Sequence, residues 1–333
     1  MKLLVTGGAG FIGSNFIRHI LQKYAGYEIV NLDKLTYAGN LDNLRDVEND
    51  RRYRFVKGDI CDSKIVGTLM KNADAVVHFA AETHVDRSIK DASSFIDTDV
   101  KGTFVLLEAA RKNSIKRFVH ISTDEVYGSI DKGSFKETDA LNPRNPYSAS
   151  KAAADRLAYS FFCTYSLPVI ITRSSNNYGP YQYPEKVMPL FITNLLEGKK
   201  IPLYGDGLNV RDWIYVLDNC EAIDFALHNG AAGEVYNIGG GNELTNLAMT
   251  RIILEETGKD ESYIEYVTDR PGHDRRYSLD CSKIRALGWK PRFSFKKAIK
   301  ETIAWYRKNE PWWKKIKSGE YKRYYEAHYN NRS

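Results

Sequence analysis

Two adjacent acids follow an apolar run near the middle of the sequence. The run is RFVHIS, residues 117–122, and Thr123, Asp124 and Glu125 come directly after it. The run predicts a buried strand, and neighbouring residues of a strand point to opposite faces of a sheet. Both acids can therefore serve one site only if the strand ends before them and the chain turns. Such a pair can supply a general acid and a general base; the alternative is that the acids cap a helix or lie in solvent.

A tyrosine and a lysine form the second candidate pair. Pro146 opens a stretch of helical spacing that contains Tyr147 and Lys151, and residues i and i+4 share a helix face with side chains about 6 Å apart. A nearby positive charge, such as the lysine ammonium group, would lower the tyrosine pKa, which makes the phenolate a usable base near neutral pH. Tyr53 and Lys57 have the same spacing, but YRFVK predicts a strand, in which four residues span about 13 Å. The helical pair is therefore the catalytic candidate.

A glycine pattern at the front of the chain predicts a dinucleotide site. Gly7, Gly10 and Gly13 follow an apolar strand and open a helix, and Asp33 ends the next predicted strand. Glycines allow a tight turn and a close approach of the backbone to a pyrophosphate at the helix N-terminus. A carboxylate at position 33 binds the adenosine ribose and favours NAD over NADP; the alternative is a glycine-rich turn that binds nothing. Asp59 either contacts the adenine or forms a turn.

The elements that must position these residues alternate along the first half of the chain. Continuous apolar strands are followed by amphipathic helices, which predicts a parallel sheet covered on both faces. The fold class is therefore α/β, a Rossmann-like doubly wound parallel sheet with a smaller α/β substrate-binding domain. We expect the two domains to interleave, with residues 1–175 and 208–238 in the NAD-binding part and residues 176–207 and 239–333 in the other.

Composition narrows the class of protein. The chain has 333 residues and a formal net charge of +6, with the basic residues scattered, so we expect no nucleic-acid partner. No apolar run approaches the roughly 20 residues of a membrane span, and the start, MKLLVTGG, predicts a strand and no signal peptide. Four cysteines are widely spaced, at Cys61, Cys163, Cys220 and Cys281. This pattern predicts reduced thiols, no metal site and a cytoplasmic protein.

Several motifs together resemble one family, the extended short-chain dehydrogenase/reductases. They are TGGAGFIG, HFAAETHVDRS, ISTDEVYG, YSASK, SSNNYGPYQYPEK and RPGHDRRY, spread over residues 6–277. Within that family the chain is most similar to the nucleoside-diphosphate-glucose 4,6-dehydratases, above all those that act on dTDP-glucose. The TDE triplet distinguishes them from 4-epimerases and from UDP-sugar decarboxylases. A UDP-glucose substrate stays open, whereas a dinucleotide-sensing regulator and a plain NADP-dependent reductase are disfavoured.

The resemblance implies a role for each catalytic candidate. Tyr147 takes the proton of the sugar 4-hydroxyl while a hydride passes from C4 to NAD, and Lys151 lowers the tyrosine pKa and holds the nicotinamide ribose. Thr123 hydrogen-bonds the new 4-keto oxygen. Glu125 then removes the C5 proton, and Asp124 protonates the departing C6 hydroxyl. The hydride finally returns to C6, so NAD is regenerated in each turnover and stays bound.

The resemblance also implies the remaining site residues. Besides the glycines, Asp33, Asp59, Tyr147 and Lys151, the implied NAD ligands are Phe11, Ile12, Lys34, Leu35, Thr36, Ile60, Phe79, Ala80, Ala81, Thr98 and Asn177. Thr83 and Asn176 are implied to contact the sugar. The nucleoside diphosphate is assigned to Glu185, Lys186, Pro202, Leu203, Tyr204, Arg211, Asn246, Asp269, Arg270, Pro271, Gly272 and His273. For the basic residues the alternative is a solvated surface charge; His84 is expected to be structural.

Two further groups of apolar residues concern assembly and packing. Residues 100–112 and 151–165 carry apolar side chains on more than one helix face, namely Phe104, Leu107, Ala153, Ala154, Leu157 and Phe161. The family's equivalent helices form a dimer interface, so the resemblance implies a homodimer. The aromatic residues near the end, Trp305, Trp312, Trp313, Tyr324 and Tyr325, are expected to pack in the core and at its rim.

Overall fold

The structure, a computed structural model, describes residues 1–319. The strands are β1 (Lys2–Thr6), β2 (Glu28–Asp33), β3 (Tyr53–Lys57), β4 (Ala75–His78), β5 (Arg117–Thr123), β6 (Val169–Ser174), β7 (Asn176–Tyr178), β8 (Ile201–Tyr204), β9 (Val210–Tyr215), β10 (Val235–Ile238), β11 (Glu243–Thr245) and β12 (Ile264–Val267).

The helices lie between these strands. They are α1 (Phe11–Lys23), α2 (Ser63–Met70), α3 (Val85–Lys90), α4 (Ser93–Phe95), α5 (Thr103–Lys112), α6 (Pro146–Tyr165), α7 (Val187–Leu196), α8 (Val216–Asn229), α9 (Asn246–Thr257), α10 (Ser282–Ala286), α11 (Phe295–Lys308) and α12 (Glu310–Ser318). A π-helix, Ile96–Gly102, joins α4 to α5, and 3-10 helices span Leu41–Leu44, Asp124–Tyr127 and Glu261–Tyr263.

Seven parallel strands form the main sheet of the described chain, in the order β10-β6-β5-β4-β1-β2-β3. Successive residues of each strand face opposite sides. In β1, Leu3 and Val5 join the apolar cluster that contains the buried faces of α1 and α8. Leu4 joins the cluster that contains residues of α2, α5 and α6. Both faces of the sheet are therefore covered, which explains the continuous apolar strands and confirms the predicted doubly wound α/β fold.

The central strands end at a common edge of the sheet. The register sets Thr6 of β1 opposite His78 of β4, and Thr123 of β5 opposite Ser174 of β6. Ligands of open parallel sheets bind outside the carboxyl ends of the strands. This edge is therefore where the predicted site residues converge.

The smaller part of the molecule lies at the same edge of the main sheet and contains two small sheets. A three-stranded sheet has the order β11-β9-β7, and a two-stranded sheet pairs β12 with β8. Strand β9 belongs to the small sheet although α8, which follows it directly, packs against β5 and β6 of the main sheet. The chain thus passes between the two parts several times. The exact division into 1–175 with 208–238 and 176–207 with 239–333 stays a prediction.

The terminal tryptophans pack as expected. Trp313 is buried, and the rings of Trp305 and Trp312 lie 5.1 Å apart with Tyr181 against Trp305 at 4.6 Å. Tyr324 and Tyr325 lie outside the described residues. Among the helices of residues 1–319, none combines the length and the apolar character needed to span a membrane.

Candidate active site

Two adjoining cavities open at the carboxyl edge of the main sheet. The larger has a volume of about 290 Å³ and extends from the glycine-rich turn to the end of β5. The smaller has a volume of about 160 Å³ and lies toward the small sheets. Glu125, Asn176, Glu185 and Lys186 line both. A ligand that fills both cavities therefore passes directly over these four side chains.

The two acids lie where the strand argument requires. Strand β5 ends at Thr123, and Asp124 and Glu125 begin a 3-10 helix that turns both side chains toward the larger cavity. Thr123 caps this helix, because its Oγ1 accepts the backbone N–H of Glu125 at 3.3 Å. The same hydroxyl donates to Asp124 Oδ1 at 3.2 Å. The acids are thus free of the capping role that was the alternative.

Burial gives the Asp124 carboxyl a different pKa from that of a carboxyl in solvent. Its side chain is 3 % exposed. Burial raises the pKa of Asp124 well above its usual value, the adjacent Glu125 raises it further, and Arg211 opposes the shift. A raised pKa favours the protonated form of Asp124, which is the form that a general acid needs.

Tyr147 and Lys151 lie on the first two turns of α6. Asn145 caps this helix, since its side chain accepts the N–H of Ser148 while the Ser148 hydroxyl receives the Asn145 N–H, and Pro146 takes the first helical position. Both candidate side chains line the larger cavity. Lys151 Nζ donates to the carbonyl of Ile121 in β5 at 2.7 Å. The helical context that distinguishes this pair from Tyr53 and Lys57, which lie in β3, is confirmed.

The electrostatics around Tyr147 differ from the implied activation. Burial raises the pKa of Tyr147 well above its usual value, and the carboxylates of Glu125 and Asp99 add to the shift, while a hydrogen bond with Thr123 lowers it. Burial also lowers the pKa of Lys151, which Asp99 and Asp155 oppose. The protein alone therefore keeps the phenol protonated. Activation of Tyr147 requires a further positive charge in the larger cavity.

The glycine-rich turn forms a cradle into which no side chain fits. Gly7 has φ +71°, and a Cβ there would lie 2.5 Å from the backbone nitrogen of Ala80. A Cβ on Gly13 would lie 2.4 Å from the carbonyl oxygen of Gly7. The open face of this turn lines the larger cavity at the N-terminus of α1. Such a geometry suits a pyrophosphate.

The other predicted cofactor residues meet along the same cavity, with one exception. Asp33 accepts the N–H groups of Ala9 and Leu35 at 2.9 and 2.8 Å, and Asp59 pairs with Lys34 at 2.7 Å. The residues Gly10, Phe11, Ile12, Thr36, Ile60, Phe79, Ala80, Ala81, Thr98 and Asn177 also line the cavity. Leu35 does not: it has φ +57° and packs against the hydrophobic core, so only its N–H serves the site.

Unpartnered polar atoms show that the larger cavity fits a polar ligand. The atoms are Asp124 Oδ2, Glu125 Oε2, Asn176 Oδ1 and Asn177 Oδ1, which are buried and have no hydrogen-bond partner among residues 1–319. Buried polar atoms are costly unless they are paired. Together with the glycine cradle, which a Cβ would fill, they fit a dinucleotide at one end of the cavity and a hydroxyl-bearing molecule at the other.

Three cations meet in the smaller cavity. Lys186, Arg211 and Arg270 all line it. Lys186 Nζ also donates to the carbonyl of Thr83, and Arg270 lies 3.7 Å from the carboxylate of Asp86. Because arginine can bind phosphate oxygens in a bidentate manner, this group suits a diphosphate. The alternative of scattered, solvated charges does not hold, since all three are at least partly buried.

The remaining predicted substrate residues divide into two sets. Thr83 lines the larger cavity, and the smaller cavity is also lined by Pro202, Leu203, Tyr204, Asn246 and His273. Asp269, Pro271 and Gly272 are exposed and line neither cavity. Asp269 instead bonds His273 Nδ1 at 2.6 Å. Burial and the nearby charges of Arg270 and Arg211 lower the pKa of His273 to about 4, so it is neutral.

Several residues of the site were not predicted. Arg87 pairs with the buried carboxylate of Glu185 at 3.0 Å and lies over the Tyr37 ring. Glu82 lines the larger cavity, and burial together with Asp99 raises its pKa to about 7. The signal for Glu82 and Arg87 was present in the sequence, because both lie within the AAETHVDR stretch that carried Thr83.

Comparisons with known proteins agree with this geometry. Residues 4–302 match the model of the GDP-mannose 4,6 dehydratase family. A dTDP-glucose 4,6-dehydratase of Streptomyces niveus is 54 % identical, over 96 % of this chain and 96 % of that protein.

Two solved structures show the same fold. The dTDP-glucose 4,6-dehydratase of Streptomyces venezuelae, crystallised with NAD, has a TM-score of 0.93 and 53 % identity over 95 % of this chain and all of that one. A UDP-glucose 4-epimerase of Thermus thermophilus, also with NAD, has a TM-score of 0.86 but 31 % identity over 93 % of this chain and all of that one. The architecture is therefore shared with epimerases, while the sequence is much nearer to dehydratases. Because the family model matches residues 4–302, the chain belongs to the GDP-mannose 4,6 dehydratase family.

Proposed function

We propose that this chain dehydrates dTDP-glucose to dTDP-4-keto-6-deoxyglucose by an internal redox cycle with tightly bound NAD. The observation that carries the proposal is that Asp124, Glu125 and Tyr147 line one cavity. An epimerase that moves a hydride at C4 needs one base, whereas loss of water across C5 and C6 needs a base and an acid in addition. The sequence identity to dTDP-glucose dehydratases supports the same choice.

The oxidation half of the reaction uses Tyr147, Lys151 and Thr123. Tyr147 removes the proton of the 4-hydroxyl, and Thr123 donates to the carbonyl oxygen that forms. Lys151, fixed by the Ile121 carbonyl, holds the nicotinamide ribose in the larger cavity. NAD, when bound, accepts the C4 hydride, supplies the hydride that C6 later receives, and adds the positive charge that the Tyr147 phenol lacks in the protein alone.

The elimination half uses the two acids. The 4-keto group acidifies the C5–H bond, and Glu125 removes this proton. Asp124 gives its own proton to the C6 hydroxyl, which leaves as water. C5 is then reprotonated as C6 is reduced, so the sugar loses one water and has no net change in redox state. The raised pKa of Asp124, caused first by burial, supports its role as the acid.

The smaller cavity holds the nucleoside diphosphate in this proposal. Lys186, Arg211 and Arg270 neutralise the two phosphates, and Thr83 and Asn176 orient the sugar between the cavities. Asp269, Pro271 and Gly272 act on the substrate only through His273 and Arg270, which they flank. UDP-glucose is the alternative substrate, because the same cations would hold its diphosphate.

The proposal includes a homodimer in the cytoplasm. Phe104 of α5 and Tyr159 and Tyr165 of α6 are exposed on the helices named for the interface, which supports dimerisation, although Leu107, Ala154 and Phe161 are buried within the monomer. Sedimentation of the wild-type protein and of Phe104→Glu tests the interface: a shift to the monomer supports it. The free thiols of all four cysteines support the location, which cell fractionation tests.

The deciding experiment is incubation with dTDP-glucose in heavy water without added NAD. Loss of one water with one deuterium at C5, measured by mass spectrometry and NMR, is the expected result. An unchanged formula with an inverted C4 would mean an epimerase and would refute the roles of Asp124 and Glu125. Turnover of UDP-glucose in preference to dTDP-glucose would replace the proposed substrate.

A further inference from the structure

Ala9, within the glycine-rich turn, is hydrogen-bonded through both of its backbone groups. The N–H of Ala9 donates to Asp33 Oδ2 at 2.9 Å. Its carbonyl oxygen accepts the N–H of Asn40 at 3.0 Å and the side-chain amide of Asn43 at 2.9 Å. The shape of the cradle therefore depends on the segment that contains Asn40 and Asn43, which lies behind the turn.

Asn43 is in turn held by the far end of the chain. Its side chain is 2 % exposed, and its Oδ1 accepts the indole Nε1–H of Trp312 in α12 at 2.9 Å. Its backbone carbonyl accepts from Arg18 of α1. A chain of hydrogen bonds thus runs from Trp312 through Asn43 to Ala9, and its first bond joins residues that are 269 positions apart in the sequence.

Other contacts keep α12 over this region. Lys315 pairs with Asp42 at 2.7 Å, next to Asn43 in the 3-10 helix. The ring of Tyr181 lies 6.0 Å from Trp312, and the Arg18 guanidinium lies 4.1 Å from the centre of the Tyr181 ring. The Trp312 indole is therefore fixed from several sides. Its hydrogen bond to Asn43 is part of a rigid contact between the C-terminal helix and the back of the cradle.

We propose that Trp312 and Asn43 are positioning residues that retain the dinucleotide. By holding the Ala9 carbonyl, they keep the cradle N–H groups in the arrangement that binds the pyrophosphate, and release of NAD requires this arrangement to loosen. The inference rests on the proposed function, in which the same nicotinamide gives back the hydride that it received. Such a cycle needs slow release of the dinucleotide, because an enzyme that lost its reduced cofactor could not return the hydride to the oxidised sugar.

The test is Trp312→Phe, which keeps an aromatic ring and removes the N–H. Asn43 Oδ1 then loses its donor in a buried place, and the expected effect is an NAD dissociation rate about five to ten times faster. The rate is measured by loading radiolabelled NAD, adding excess unlabelled NAD and filtering at intervals. The turnover number at saturating NAD stays at the wild-type value, since neither residue touches the reacting atoms.

Trp289→Phe is the matched control. Trp289 is buried, whereas Trp312 is partly buried, and Trp289 Nε1 has no hydrogen-bond partner among the described residues. The same substitution therefore removes no bond there, and NAD release keeps its wild-type rate. A second variant, Asn43→Ala, releases NAD at least as fast as Trp312→Phe. Adding Trp312→Phe to Asn43→Ala has little further effect, because Trp312 acts through Asn43.

The outcomes separate this inference from the proposed function. Equal release rates for Trp312→Phe and Trp289→Phe, or additive effects of Trp312→Phe and Asn43→Ala, would overturn the inference while the wild-type enzyme still carried NAD. A turnover number that falls in step with retention would also overturn it, because the change would then disturb the catalytic residues. A wild-type protein that binds no NAD would refute the proposed function itself. Circular dichroism melting confirms that each variant is folded.

Discussion

Replacing Asp124 with asparagine tests the acid that we propose for the elimination step. The change keeps the size and shape of the side chain and removes the one proton that it can transfer. Asp124 is 3 % exposed, Oδ1 accepts from Thr123 at 3.2 Å and Oδ2 has no partner among the described residues. Solvent cannot readily take over from a carboxyl at this depth, so the effect on water loss should be large.

The expected size follows from the role of a general acid. Removing such a group typically costs a factor of about 10² to 10⁴ in rate, or about 3–5 kcal/mol in activation free energy. In the proposed mechanism, oxidation at C4 relies on Tyr147 and Lys151, so this step should continue. The variant should therefore accumulate the 4-keto sugar with the nicotinamide in its reduced form, which a stopped-flow measurement of nicotinamide absorbance detects.

The same substitution should raise stability at neutral pH. Burial raises the pKa of Asp124 in the folded protein, so folding takes up a proton wherever the pH lies between the unfolded and the folded pKa values. The contribution of Asp124 to the free energy of unfolding therefore falls as the pH rises through this window. Asparagine cannot ionise. The advantage of Asp124→Asn, measured by urea unfolding, should therefore be absent near pH 3 (below the roughly 3.9 of an unfolded aspartate) and grow toward neutral pH.

Two results would refute this reasoning. Dehydration within about tenfold of the wild-type rate would show that Asp124 is not the acid. An equal loss of C4 oxidation and water elimination would show that the substitution damages the site as a whole. Glu125→Gln is the matched comparison, because it should also halt the reaction after oxidation but abolish deuterium exchange at C5.

Two further substitutions test the cradle and the core. Gly7→Ala should abolish NAD retention, because Gly7 has a positive φ and a Cβ there would lie 2.5 Å from a backbone nitrogen. The control Gly67→Ala, where a Cβ meets nothing within 4 Å, should retain NAD as the wild type does. The bound nucleotide is measured by mass spectrometry after gel filtration. Arg173→Met should lower the free energy of unfolding by about 3–5 kcal/mol, because it leaves the Asp155 carboxylate buried without its 2.9 Å partner. Arg156→Met, which removes an exposed partner of the same carboxylate, should cost about 1 kcal/mol or less in urea unfolding.

Local rules were enough to predict where the candidate catalytic residues lie relative to their strand and helix. The period of two along β5 required Asp124 and Glu125 to lie past the end of the strand, and the structure has them in a 3-10 helix there. Helical spacing selected Tyr147 and Lys151 over Tyr53. These predictions succeed because they depend on one strand, one turn and one helix, whose geometry is fixed by a few residues.

Predictions that depend on long-range packing were less complete. Leu35 turns away from the cavity because its backbone follows Asp33 through a left-handed conformation, which a resemblance of motifs does not reveal. The pairing of Arg87 with Glu185 joins residues 98 positions apart. The contact of Trp312 with Asn43 spans most of the chain. No local pattern in the sequence specifies which distant partner such a side chain meets.

The repeated crossing of the chain between the main and the small sheets bears on how this protein can evolve. One residue, Ser175, separates β6 of the main sheet from β7 of the small one, and β9 leads into α8 with no residue between them. The segments that form the small sheets are therefore not contiguous in the sequence, and recombination cannot exchange them as one piece. Under the proposed function, we expect a change of substrate preference to come from point substitutions in the lining of the smaller cavity, which contains Lys186, Arg211 and Arg270.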